Sequence, residues 1–310
     1  MKLDVATATE HALINFCHEK GEEGALVADI IGAIIVKVTD TIGAIIVKVT
    51  DTIVAKWGWT VTPAGAAMQE VAYTSLLDYD VVRVPRVFRF VQDEEGRGYL
   101  FMEYVPGQNL ADLDVKEHNI VSHVAKIIEY LGQIQAPPGY GPGPISHNRG
   151  PRGYLRGDDG VRKPFNSITA LNDWINRRII LRKQNESVDF GSYPLVLCHM
   201  DLCRRNMILG DDGNVYLLDW GHAGFFPRFY EVATLSCLNP YDEDYEKPLI
   251  EAVKSLLRMT EDEKWDMRMV LYARAASLRW TFPEDDGEND EPAPGPPPLG
   301  TPPPLLIPEV

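Results

Sequence analysis

The sequence predicts an α+β fold in two lobes: a small antiparallel β N-lobe with one helix, then a larger, mainly α-helical C-lobe, with a disordered tail behind it. Three observations carry this. The first hundred residues hold short β-branched runs closed by turn signals. After Pro106 the apolar residues take helical spacing. The last thirty residues hold ten of the chain's 23 prolines and no Lys or Arg. The organisation expected is therefore residues 1–105, 106–280 and 281–310.

Composition narrows the class. The 310 residues are 45% apolar and 24% charged, ordinary for a globular protein. No run approaches the roughly 20 apolar residues of a membrane span; the nearest, Ile30 to Val36, stops at Lys37. The N-terminus carries acids and His without an apolar core, so no secretory signal is expected. Cys17, Cys198, Cys203 and Cys237 have neither C-x-x-C spacing nor a disulfide framework, which fits reduced thiols and a cytoplasmic location. Of the net charge of −15, the tail's seven acids leave −8 for residues 1–280. Nucleic-acid binding is excluded, since no basic face displaces counterions, and no membrane partner is expected. An acidic body that handles a polyanion needs a divalent metal and a few placed cations.

In chain order, the first feature is a tandem repeat: "IGAIIVKVTDT" spans Ile31–Thr41 and again Ile42–Thr52. Each copy reads as strand then turn, and two copies of eleven residues are too few and too short for a solenoid. The expectation is that the fold needs one copy. "IVAKWG" follows, then a helix in which Thr62 caps, Pro63 takes the first position, and Met68, Val71, Ala72 and Leu76 share a face. "VVRVPRVFRF" and "GYLFMEYV" are two more strands, so the N-terminal third reads β-β-α-β-β. A helix is expected over Ile120–Ile134, a Gly/Pro-rich loop over 136–160, and a helix in "SITALNDWINRRIILRK". Two late helices follow, the last opening on a capping box at Thr260 and Glu263. The tail's proline spacing suits a polyproline-binding partner, and a solvated tail is the other reading.

The chemistry concentrates in "CHMDLCRRNMILGDDGNVYLLDW", Cys198–Trp220. Two apolar strands flank the turn "GDDGN", whose Asp211 and Asp212 are turn residues. Pairing the strands is expected to bring Asn206 and Asp219 together, with Asp201 overhanging them. Two oxygen ligands and a nearby carboxylate suit Mg²⁺, which completes its octahedron with water and phosphate oxygens.

"H-x-D-L-x-x-x-N" at His199–Asn206, followed by "LLDWGHAGFFPRFYE" from Leu217, resembles the aminoglycoside phosphotransferase-like branch of the protein-kinase-like superfamily. "VVRVPRVF" and "YLFMEYVPGQNL" extend the resemblance, which covers roughly residues 30–280. It implies a kinase-like fold and a cytoplasmic, ATP- and Mg²⁺-dependent small-molecule kinase, a monomer acting on a hydroxylated acceptor. Asp201 would orient or accept the hydroxyl proton. Asn206 and Asp219 would hold Mg²⁺, Lys56 would reach the phosphates with Glu70 fixing it, and the backbone at Glu103 and Val105 would bind adenine. The repeat lysines Lys37 and Lys48 compete with Lys56, but only Lys56 directly precedes the capped helix. Arg204 and Arg205 are read as phosphate contacts or surface residues, and His199 and His222 as supporting groups. "YDEDYE" at Tyr241–Glu246 would favour a cationic acceptor or be a solvated acidic loop. Met200 stands where many relatives have glycine, and Arg204 where they have proline. The alternative is a catalytically impaired pseudokinase acting as a nucleotide-binding or scaffold protein.

Overall fold

The computed structural model describes residues 4–27, 44–145, 150–156, 161, 163–181, 185–237, 242–280 and 282. The elements run α1 (Glu10–Val27), β1 (Ile45–Lys48), β2 (Ile53–Gly58), α2 (Pro63–Leu76), β3 (Val87–Gln92), β4 (Gly98–Glu103), β5 (Gly107–Asn109) and α3 (Ile120–Leu131). They continue with α4 (Ile168–Ile179), β6 (Val196–Cys198), β7 (Met207–Gly210), β8 (Val215–Leu217), β9 (Gly224–Phe226), α5 (Phe229–Leu235), α6 (Glu243–Leu256) and α7 (Glu261–Ser277). The chain forms two compact units: Met1–Gln108 with Ile208–Gly221, and Asn109–Met207 with His222–Val310. The first break thus falls three residues beyond Val105, and most of the β7–β8 hairpin goes with the first unit.

In the first unit four antiparallel strands form a sheet in the order β1-β2-β4-β3. Side chains alternate across its faces. Val47, Ala55, Val91, Tyr99 and Phe101 pack with Leu13 and Cys17 of α1, while Val54, Leu100 and Met102 turn the other way onto Val61 and Ala66. Being covered on both faces explains why β4 reads as the unbroken apolar run "YLFM". Gly98 opens that strand because a Cβ there would lie 2.1 Å from the Val61 carbonyl oxygen. β1 comes from the second repeat copy; the first, with Lys37, lies outside the described residues. α2 starts as expected, with the Thr62 hydroxyl accepting from the Gly65 amide and Pro63 at the first position. α1 is an addition to the expected order, as is the short strand β5, which joins β7 and β8 in a second sheet.

The second unit is mainly helical. α3 buries Ile120, Val124, Ile127, Ile128 and Leu131 and stops at Leu131, one turn short of the expected end. α4 is capped by Ser167. α7 opens on the expected box, the Thr260 hydroxyl taking the Glu263 amide and the Glu263 carboxylate the Thr260 amide. α5 and the β6–β9 pair, Val196 opposite Phe226, are further additions. No described helix is long and apolar enough to cross a membrane. The tail expected to be disordered lies, apart from Phe282, outside the described residues.

Candidate active site

Lys56 stands mid-strand on β2 opposite Leu100. Its ammonium lies 2.7 Å from Asp219 Oδ2; the lysine side chain is 16% exposed and the aspartate 41%. Asp219 follows β8 in a left-handed conformation, φ +63°. Trp220 behind it is buried, its indole N–H donating to the Leu217 carbonyl at 3.1 Å. The ion pair borders an open cleft walled by Val61, Ala66, Leu100 and Met102 and by Thr62 and Gly65 at the start of α2.

The polar α2 side chain lining this cleft is Gln69. It is buried, with Nε2 donating to the Pro85 carbonyl at 2.8 Å. That bond fixes the rotation of the helix, and the next residue, Glu70, turns outward: it is exposed, and the charge acting on it is Arg86. The expected Lys56–Glu70 pair is therefore corrected: among the described residues Lys56 pairs with Asp219, and Glu70 is exposed. Lys48, the rival lysine, pairs with Asp51 at 3.4 Å and lies over the Tyr104 ring. At the end of β4 the Glu103 amide donates to the Arg86 carbonyl at 2.9 Å and its carboxylate accepts from the Arg86 amide. Tyr104 N–H is tied to the Thr52 carbonyl and Val105 is buried, so the Glu103–Val105 backbone is fixed in place.

In the second unit the loop from His199 is braced on every side. Met200 is buried at φ +67°. Glu231 of α5, itself buried, accepts the amides of His199 and Met200, the latter at 3.0 Å. Burial pushes the Glu231 carboxyl up to about 7 against those two hydrogen bonds, and the charge of Asp201 adds to the rise. The Asp201 amide donates to His199 Nδ1 at 3.2 Å, and Asn206 Nδ2 to the Asp201 carbonyl at 2.9 Å. Tyr245 OH donates to the Leu202 carbonyl at 2.7 Å. Arg204 forks onto Asp242 at 2.8 and 2.9 Å and also donates to the carbonyls of Leu110 and Leu113. It is a structural clamp, distinct from both readings drawn from the sequence, whereas Arg205 is exposed. The acidic stretch supplies that clamp: Asp242 answers Arg204, Glu243 pairs with Lys247, and Tyr245 is buried.

Asp201 is buried, with Oδ1 unpartnered. Around its carboxylate stand Tyr154, Cys203 and His222. The Tyr154 hydroxyl and the Cys203 thiol are both pushed up, by burial first and then by the Asp201 charge, the thiol to about 12. Tyr154 gives no signal within its Gly/Pro-rich loop, and Glu231 none within an apolar run. Gln69 sits beside the more suggestive Glu70.

The residues suit Mg²⁺ and a nucleotide by their chemistry. Asn206 commits its NH₂ to a carbonyl, which leaves the amide oxygen as a ligand. Asp219 offers a part-exposed carboxylate beside Lys56. Among the described residues no group of three His, Cys, Asp or Glu side chains is placed to hold a metal ion.

The model of the phosphotransferase enzyme family (APH) matches residues 39–267. No curated protein matches. Among solved structures, a thermostable mutant of aminoglycoside phosphotransferase APH(4)-Ia, in ternary complex with ADP and hygromycin B, is 16% identical. The match covers 82% of this chain and 88% of that one at a TM-score of 0.49. Aminoglycoside-3'-phosphotransferase of type VIII is 17% identical, over 83% and 100%, at 0.48. Choline kinase LicA from Streptococcus pneumoniae is 14% identical, over 88% and 93%, at 0.44.

Proposed function

Because the chain belongs to the phosphotransferase enzyme family, we propose that it is a small-molecule kinase moving the γ-phosphate of Mg²⁺-bound ATP onto a hydroxyl of a small acceptor. The observation that carries this reading is the Lys56–Asp219 pair, a cation and a carboxylate 2.7 Å apart at the edge of an open cleft. Lys56 is the cation for the ATP phosphates. Asp219 and the amide oxygen of Asn206 hold the metal, which neutralises phosphate charge. The fixed backbone at Glu103 and Val105 takes the adenine. Asp201 orients the acceptor hydroxyl and receives its proton. Phosphoryl transfer asks a protein mainly for position and charge, and a loop clamped by Glu231, Tyr245 and Arg204 suits that demand.

The test is calorimetric titration of Mg·ATP into the wild-type protein and an Asp219→Ala variant. Magnesium-dependent binding lost in the variant is the expected result. A folded wild-type protein that binds no nucleotide would overturn the reading.

A further inference from the structure

Asp201 has a neighbour whose placement the proposed transfer leaves unused. His222 Nδ1 lies 3.8 Å from Asp201 Oδ2, too far for a hydrogen bond. Nδ1 is buried and has no hydrogen-bond partner. The side chain is nonetheless 32% exposed, so its contact with solvent lies elsewhere on the ring. One ring nitrogen thus faces a buried carboxylate while another part of the same ring faces water.

The ring is held in that posture. Tyr154 meets it edge-on, with centroids 5.4 Å apart and planes at 88°. Gly153, at φ +109°, passes so close that a Cβ there would stand 3.2 Å from His222 Cγ. A side chain at 153 would both strain the backbone and push the imidazole.

We propose that His222 is the proton relay of Asp201, an inference that rests on the phosphotransferase reading above. In the transfer the acceptor's O–H bond breaks as its oxygen bonds to the γ-phosphorus, and ADP leaves with the electron pair of the broken P–O bond. The hydroxyl proton passes to the Asp201 carboxylate and then to His222 Nδ1, across a 3.8 Å gap that a small turn of the Asp201 side chain closes. The ring releases its other N–H proton to solvent and is ready again after exchange. Without the relay, Asp201 would keep its proton in a site whose other neighbours, Tyr154 and Cys203, both have raised pKa values and are poor escape routes.

The test measures ADP release from Mg·ATP with water as acceptor, and Mg·ATP binding by calorimetry, for wild type, His222→Gln and His222→Ala. Both variants are expected to bind Mg·ATP as wild type does and to release ADP roughly a hundredfold or more slowly, the usual scale of a lost proton-transfer partner. Free imidazole, added at rising concentration, should restore turnover in His222→Ala and leave His222→Gln unchanged, since the glutamine fills the space without carrying a proton. Pyrrole, a ring of the same shape without a basic nitrogen, should give no rescue; rescue by pyrrole would mean that His222 only packs and would overturn the relay. Unchanged turnover in the two variants, or slow turnover that imidazole does not lift, overturns the relay while wild-type binding leaves the phosphotransferase reading standing. A wild-type protein that neither binds Mg·ATP nor releases ADP overturns both.

Discussion

Lys56 takes Asp219 as its partner, 2.7 Å away, rather than a carboxylate of α2. A helix beginning at Thr62 brings both Gln69 and Glu70 near the strand, and only the hydrogen bond from Gln69 to the Pro85 carbonyl decides which faces the cleft. That bond joins residues 16 positions apart, beyond the reach of any local pattern. The Lys56–Asp219 pair is part-exposed, and pairs of that kind contribute only about 0–1 kcal/mol to stability. Lys56→Met should therefore barely move the melting temperature. It should weaken Mg·ATP binding roughly 10- to 100-fold, the value of a hydrogen bond to a charged group, as calorimetry would show. Met200 poses the opposite balance. Glycine would relieve its left-handed backbone by roughly 1–2 kcal/mol, but losing a buried methionine side chain costs about 2–5 kcal/mol. Cavity beats strain, so Met200→Gly should be the less stable protein in a denaturant titration, even though glycine suits the angle better.

At the scale of elements, the sequence revealed those with a period or a cap. α2, α4 and α7 have caps at Thr62, Ser167 and Thr260, and the faces of α2 and α3 keep helical spacing. α5 has neither: all seven of its residues are buried, so no amphipathic stripe exists to be read. Yet α5 carries Glu231, which ties the turn at His199 and Met200. The folded protein holds that carboxyl near 7, above its ordinary value of 4.5, so between these values the native state binds a proton the unfolded chain has lost. This contribution is complete below about 4.5 and fades as pH rises through 7. Stability should accordingly fall between pH 5 and 8, and Glu231→Gln should flatten that slope in thermal melts across the range. Glu231→Ala leaves two buried amides without an acceptor and should cost about 2–6 kcal/mol, at 1–3 for each.

For the whole molecule the open issue is the repeat, and physical reasoning gives a definite outcome for its removal. Deleting Ile31–Thr41 and deleting Ile42–Thr52 yield the same polypeptide, so the strand sequence of β1 survives either way. The described sheet needs that sequence once, paired to β2 from Ile45–Trp57 to Lys48–Val54, with α1 packed on it through Leu13 and Cys17. Sixteen residues connect Val27 to Ala44, and the deletion would leave five. Five extended residues still reach about 17 Å, and a connection a third as long lowers the closure entropy by about 1 kcal/mol. The shortened protein should melt at or slightly above the wild-type temperature and bind Mg·ATP with the same affinity, because Lys56, Gln69 and Asp219 all lie downstream of the cut. A lower melting temperature together with lost nucleotide binding would mean that five residues cannot span from α1 to β1, and that both copies are necessary parts of this fold.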